Sequence, residues 1–210
     1  MHWLTGLDGK LCLWICCQMI NIKEPAIIKN FLSNEEYESL YNYFFYKEKD
    51  ENTYDKYFGR YAFSDPIIDK LAQKITPFAQ EYFEDKDLLP SYSLFAHYQG
   101  DASLYRHVDD NACTYTLDMC VYQNQSWELG IEHNGVDKKY TLMPNEALAY
   151  YGNDQEHWRD AFPNKENQYV AMIFFHFVKS NHWYFTKGPS YLSVIRGEVT
   201  EKQWEQTKQP

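Results

Sequence analysis

Within Tyr105-Arg106-His107-Val108-Asp109-Asp110, the triplet His107-Val108-Asp109 sets an imidazole and a carboxylate two positions apart. On an extended chain that spacing turns both side chains to one face, where they can grip a single cation. Asp110 alternates to the other face, so Asp109 is the preferred ligand. A second imidazole, His157, stands in Glu156-His157-Trp158-Arg159, 48 positions beyond Asp109. Two histidines and one carboxylate form a facial set suited to divalent iron. Three ligands hold the ion from one side and leave three positions for a bidentate 2-oxo acid and dioxygen. A surface histidine beside acidic residues would spell the same short triplet. The strand-like segment Glu146-Ala147-Leu148-Ala149-Tyr150-Tyr151 just before His157 therefore matters as much as the triplet itself.

Ligands so far apart in sequence meet only if strand ends converge. From Leu88 the chain reads as strands: Tyr92–Tyr98, Leu104–Val108, Thr114–Tyr122, Trp127–Glu132, Lys139–Leu142, Ala147–Tyr151, Glu156–Trp158 and Tyr169–Val178. Turn segments such as Gln99-Gly100-Asp101 and Asn134-Gly135 separate them. Two helices precede them. Ser33-Asn34-Glu35-Glu36 has the form of a capping box opening a helix over 34–47. Asp65-Pro66 caps a second, running to about Glu84, which Pro77 should kink or interrupt. The stretch 48–56 reads as a loop, and the tail from Gly188 is weakly patterned. The expectation is an α+β protein: a jelly-roll core over about 91–178 with N-terminal packing helices, in one domain spanning 19–210.

The 210 residues carry a formal net charge of −10 and an aromatic share of 18%. The charge makes nucleic acid an unfavoured partner. Five cysteines, at positions 12, 16, 17, 113 and 120, lack paired metal-ligand spacing and read as reduced thiols of a cytoplasmic chain. The apolar run Leu11 to Cys17 is too short to span a membrane. Residues 1–18 are expected to be an extension, with Met19 as the ordinary beginning.

Taken in order, Phe95-Ala96-His97-Tyr98-Gln99-Gly100, His107-Val108-Asp109, Trp127-Glu128-Leu129-Gly130, Leu142-Met143-Pro144-Asn145-Glu146-Ala147-Leu148 and the distal His157 resemble the 2-oxoglutarate/Fe(II)-dependent oxygenases, especially their prolyl-hydroxylase-like branch. The resemblance covers less than half of the chain. It implies a double-stranded β-helix, Fe(II), and 2-oxoglutarate as cosubstrate with dioxygen. The implied reaction is hydroxylation of a peptidyl or small-molecule substrate, coupled to decarboxylation of 2-oxoglutarate to succinate. It also implies that Tyr98 donates its hydroxyl to the cosubstrate. The family usually carries a Lys or Arg on the final strand for the cosubstrate's far carboxylate, whereas here that strand begins Gln168-Tyr169-Val170-Ala171-Met172-Ile173. Arg159, on the His157 face, is the favoured substitute, and Lys165 is the alternative. A plain salt bridge from Arg159 to Asp160 or Glu156 is the competing reading. His97 and His176 read as core histidines, His133 and His182 as loop or surface residues. Two further classes stay open: a cupin-like metal-binding protein and a catalytically silent jelly-roll binding domain.

Overall fold

The helices come first and are stopped and started where their caps dictate. In a computed structural model that describes residues 22–100, 102–162 and 167–207, α1 spans Asn34–Tyr46 and α2 spans Pro66–Tyr82. The Ser33 hydroxyl accepts from the Glu36 amide while the Glu36 carboxylate accepts from the Ser33 amide, closing the capping box. Asp65 accepts from the Ile67 amide at 2.9 Å, with Pro66 in the first turn. Of the two effects expected of Pro77, interruption does not occur: α2 runs through it. Pro77 faces solvent, and burial of Ile68, Ala72, Ile75 and Ala79 on the opposite face holds the helix across the missing hydrogen bond.

Among the described residues eleven strands follow in chain order: β1 Ala26–Ile28, β2 Tyr54–Asp55, β3 Arg60–Phe63, β4 Leu88–Gln99, β5 Leu104–His107, β6 Tyr115–Gln123, β7 Leu129–His133, β8 Val136–Tyr140, β9 Ala147–Tyr150, β10 His157–Arg159 and β11 Tyr169–Lys179. They pair antiparallel into a large sheet, ordered β1-β9-β6-β11-β4-β3-β2, and a small one, ordered β5-β10-β7-β8. Beyond β4 the chain passes back and forth: β5 joins the small sheet, β6 the large, β7 and β8 the small, β9 the large, β10 the small and β11 the large. Asn134 and Gly135, at φ 54° and 76°, make the two-residue β7–β8 turn that this pair favours.

Side-chain alternation divides the core in two. Phe95, Leu117, Met119, Ala149, Ile173 and Phe175 point from the large sheet toward α1 and α2, where Phe44 stacks on Phe95 at 4.4 Å. Their neighbours Ala96, Tyr98, Cys120, Leu148, Val170 and Met172 face the small sheet and pack with Trp127, Leu129 and Ile131. A register shift opposite Ala171 and Met172 leaves Val121 as an extra residue in β6. The space between the sheets is polar at one end, and the metal-ligand candidates lie there.

Two segments differ from the sequence reading. β2 occupies part of the stretch expected to be a loop, and β3, to which the sequence reading gave no element, pairs with β2 on one side and β4 on the other. Both strands are too short to show a period. The tail contains α4, Leu192–Ile195, and α5, Glu201–Gln206, after α3, Trp183–Lys187. These are one-turn or two-turn helices stabilised by caps such as the Thr200–Gln203 box rather than by a long apolar stripe. The extension 1–18 and Lys165 lie outside the described residues. Among those residues no helix is long and apolar enough to cross a membrane, and Cys113 and Cys120 are buried free thiols.

Candidate metal centre

β5 and β10 are hydrogen-bonded neighbours with His107 directly opposite His157. That pairing removes the separation in sequence and brings the two imidazole rings to 4.4 Å between centroids. Asp109 follows as the chain leaves β5, and its amide donates to the Gly152 carbonyl at 2.8 Å. The Asp109 Oδ1 lies 3.5 Å from Nε2 of His107 and 3.6 Å from Nε2 of His157. All three ligand atoms fall within 4.8 Å of one another. Gly152 makes this approach possible. A Cβ there would stand 2.6 Å from Asp109 Oδ2 and 2.7 Å from the Thr116 hydroxyl.

The donors fit a divalent ion. Nδ1 of His107 is 2.8 Å from the Tyr105 carbonyl, and Nδ1 of His157 is 3.0 Å from the Gln155 carbonyl. Each carbonyl accepts the Nδ1 proton, which leaves Nε2 with a free lone pair aimed at the shared space. Burial works against the charge on Asp109, but the two imidazoles beside it outweigh that and hold its carboxyl well below the usual range. Burial likewise disfavours the imidazolium of His157, yet Asp109 raises its pKa. A cation between them would take over the role of those protons.

The three residues open onto a cavity of about 450 Å³ between the sheets. Tyr98 and Arg159, singled out from the sequence, both line it, and both are almost fully buried. Arg159 makes neither of the salt bridges it could have made: Glu156 takes Arg106 at 2.6 Å and Asp160 takes Lys139 at 2.7 Å. Its guanidinium donates instead to the Trp127 carbonyl and lies over the Trp127 ring, 4.8 Å from the centroid. Asp110 pairs with Arg196, and both line the same cavity.

The other histidines divide as expected, with one addition. His97 packs in the helix-side core against Tyr122 and Tyr169. His182 caps α3, and His133 ends β7 beside Gln155. His176 is buried and bonded to Thr116, but it also lines the cavity and groups with Asp109 and Cys113. Burial pushes its pKa down to about 4, so it is neutral.

Sequence reasoning passed over Asp118, Tyr150 and Arg60. Asp118 lies in β6 on the cavity face, accepts from the Tyr150 hydroxyl at 3.1 Å, and has its Oδ1 unpartnered. Burial raises its carboxyl to about 7. A lone acid inside the apolar run Tyr115 to Tyr122 was the signal available. Arg60, from β3, donates to the Tyr98 hydroxyl at 2.7 Å. Nothing in its local sequence marks it.

No family model matches the chain, and no curated protein does either. Solved structures do match. A 2OG-Fe(II) oxygenase family oxidoreductase from Burkholderia pseudomallei superposes with a TM-score of 0.58 at 7% identity, covering 73% of this chain and 83% of that one. HygX from Streptomyces hygroscopicus, solved with nickel, 2-oxoglutarate and hygromycin B, gives 0.59 at 10% identity, over 78% of this chain and 86% of its own. A Pseudomonas putida prolyl-4-hydroxylase gives 0.56 at 13% identity, with 72% and 91% covered. At these identities the likeness is one of architecture: the chain shares the fold of 2-oxoglutarate/Fe(II) oxygenases.

Proposed function

We propose that this protein is a non-haem Fe(II)/2-oxoglutarate-dependent dioxygenase that hydroxylates a peptidyl or small-molecule substrate. The observation that carries the reading is the convergence of His107, Asp109 and His157 at one end of an inter-sheet cavity, with both imidazole Nδ1 atoms engaged by backbone carbonyls. The alternation of β4 to β11 between two facing sheets, four strands in each, supports a double-stranded β-helix within a single oxygenase domain.

His107, Asp109 and His157 would hold iron. When bound, iron would supply the oxidation of a C–H bond by dioxygen, one oxygen atom going to the hydroxylated product and the other to the succinate formed, with CO₂, from 2-oxoglutarate. The chain's own residues bind and orient. Arg159, two positions along β10 from His157, presents N–H donors to a carboxylate at the far end of the cavity, and Tyr98 offers its hydroxyl there. Leu94, Leu129 and Phe174 line the walls between and exclude water.

Anaerobic addition of Fe(II) and then 2-oxoglutarate should produce the weak visible charge-transfer band of a chelated 2-oxo acid. On admitting air, succinate should form. His107→Ala, Asp109→Ala and His157→Ala should each abolish both signals while far-UV circular dichroism stays unchanged. Absence of the band in the wild-type protein despite bound iron would point to a metal-binding or silent member of the fold.

A further inference from the structure

Arg60 is the unexplained charge of this cavity. It sits on β3, between β4 and the edge strand β2 of the large sheet, directly opposite Tyr98 in the β3–β4 register. Its Nη1 donates to the Tyr98 hydroxyl, while its Nε is buried and has no partner. Among the described residues no carboxylate pairs with it. A buried guanidinium N–H with no acceptor is costly, and a planar carboxylate is the group that satisfies two such N–H groups together.

The surroundings say which carboxylate. Tyr98 packs on Trp127 at 5.1 Å, and Arg159 lies over the other partner of that pair. Arg60 and Arg159 thus flank one aromatic pair from two different sheets, at the end of the cavity away from His107 and His157. Arg159 has already committed one donor to the Trp127 carbonyl. On the strand that borders Tyr98 on its other side, the cavity-facing residues Val170, Met172 and Phe174 are apolar. The charge at this end is supplied from β3 and β10.

We propose that Arg60 binds the distal carboxylate of the cosubstrate, together with Tyr98 and opposite Arg159. This rests on the functional reading above. It places a cosubstrate contact on a strand outside the eight that alternate between the sheets. The placement has a consequence. Arg60 also lies over Phe58 at 4.5 Å, Phe58 stacks parallel to Tyr105 at 6.3 Å, and Tyr105 packs on His107 at 4.9 Å. Anchoring Arg60 on a carboxylate therefore steadies the β2–β3 hairpin and an aromatic rim that leads back to the metal ligand.

Calorimetric titration of 2-oxoglutarate into the nickel(II)-loaded full chain, with hydrogen exchange read in parallel, tests the assignment. Arg60→Gln should weaken binding by about tenfold to a hundredfold, with nickel affinity unchanged, and Arg60→Lys should recover part of the loss. In the wild-type protein, 2-oxoglutarate should slow amide exchange across residues 54–63, a readout that needs no variant. If wild type binds 2-oxoglutarate and Arg60→Gln binds it equally well, or exchange across 54–63 does not change, the Arg60 assignment is wrong while the oxygenase reading stands. If nickel-loaded wild type binds no 2-oxoglutarate, both fall together.

Discussion

Arg159 shows how much one side chain can carry. Its head is buried, stacked on Trp127 and, among the described residues, paired with no carboxylate, so its charge is available to a ligand rather than spent on a neighbour. A hydrogen bond to a charged group is worth about 1.5–3 kcal/mol. Arg159→Ala should therefore need roughly ten- to a hundredfold more 2-oxoglutarate for half-saturation, with iron affinity little changed. Arg159→Lys keeps charge without the fork and should fall between the two. Unaltered 2-oxoglutarate titrations for both variants would remove Arg159 from the cosubstrate site. At this scale the sequence was informative where spacing encodes a shared face, as in His107 and Asp109. It was silent on Arg60, because a lone arginine in a four-residue strand looks like any surface cation.

Elements place these side chains through close contacts that a single substitution can break. Gly152 gives Asp109 its space, and alanine there would push on the carboxylate and on the Cys113 carbonyl, each 2.6 Å from the added atom. Gly152→Ala should reduce metal affinity by roughly ten- to a hundredfold, the usual loss when the support of a ligand is disturbed. Metal titration followed by intrinsic fluorescence would show it, and an unchanged affinity would mean that the loop yields without moving Asp109. Asn145 works at a different junction. It takes φ 63° in the turn before β9, a conformation open to Gly or Asn. Its side chain accepts from the Leu32 amide at 2.9 Å and donates to the Leu32 carbonyl at 3.0 Å, tying the entrance of α1 to the large sheet. Asn145→Ala loses both bonds and strains the turn, so urea unfolding should report a loss of about 2–3 kcal/mol with metal affinity retained.

Across the whole molecule, buried titratable groups oppose one another as pH changes. His97 and His176 are both pushed down to about 4 by burial, so between pH 4 and 6.5 the unfolded chain binds protons that the native one does not. Their contribution is present above 6.5 and is lost as pH falls through that window. Asp118 does the reverse. Its carboxyl, raised to about 7 by burial, keeps a proton in the native state that the unfolded chain releases near the ordinary carboxylate pKa, so its contribution declines as pH rises from about 4 to 7. A tenfold difference in proton affinity between the two states is worth about 1.4 kcal/mol. Asp118→Asn should therefore raise the melting temperature of the metal-free protein at pH 8 and lose that advantage toward pH 5. Melting curves of variant and wild type from pH 4 to 8 would reveal an equal offset at every pH if Asp118 were ionised throughout.

The eight alternating strands, the α1 capping box, the Asn134-Gly135 turn and the shared face of the candidate ligands His107 and Asp109 were legible because each is a local rule: period, cap, φ preference or alternation. Local rules end where partners are chosen by packing. β2 and β3 became strands only because β4 offered an unpaired edge, and α2 crossed Pro77 only because its apolar face had a sheet to cover. Arg60, Asp118 and Gly152 belong to the site through register and close approach, which depend on neighbours distant in sequence. Pairing and packing energies arise between elements, so the sequence by itself determined one candidate ligand set, His107, Asp109 and His157. Only the tertiary structure decided which charges would share a cavity with it.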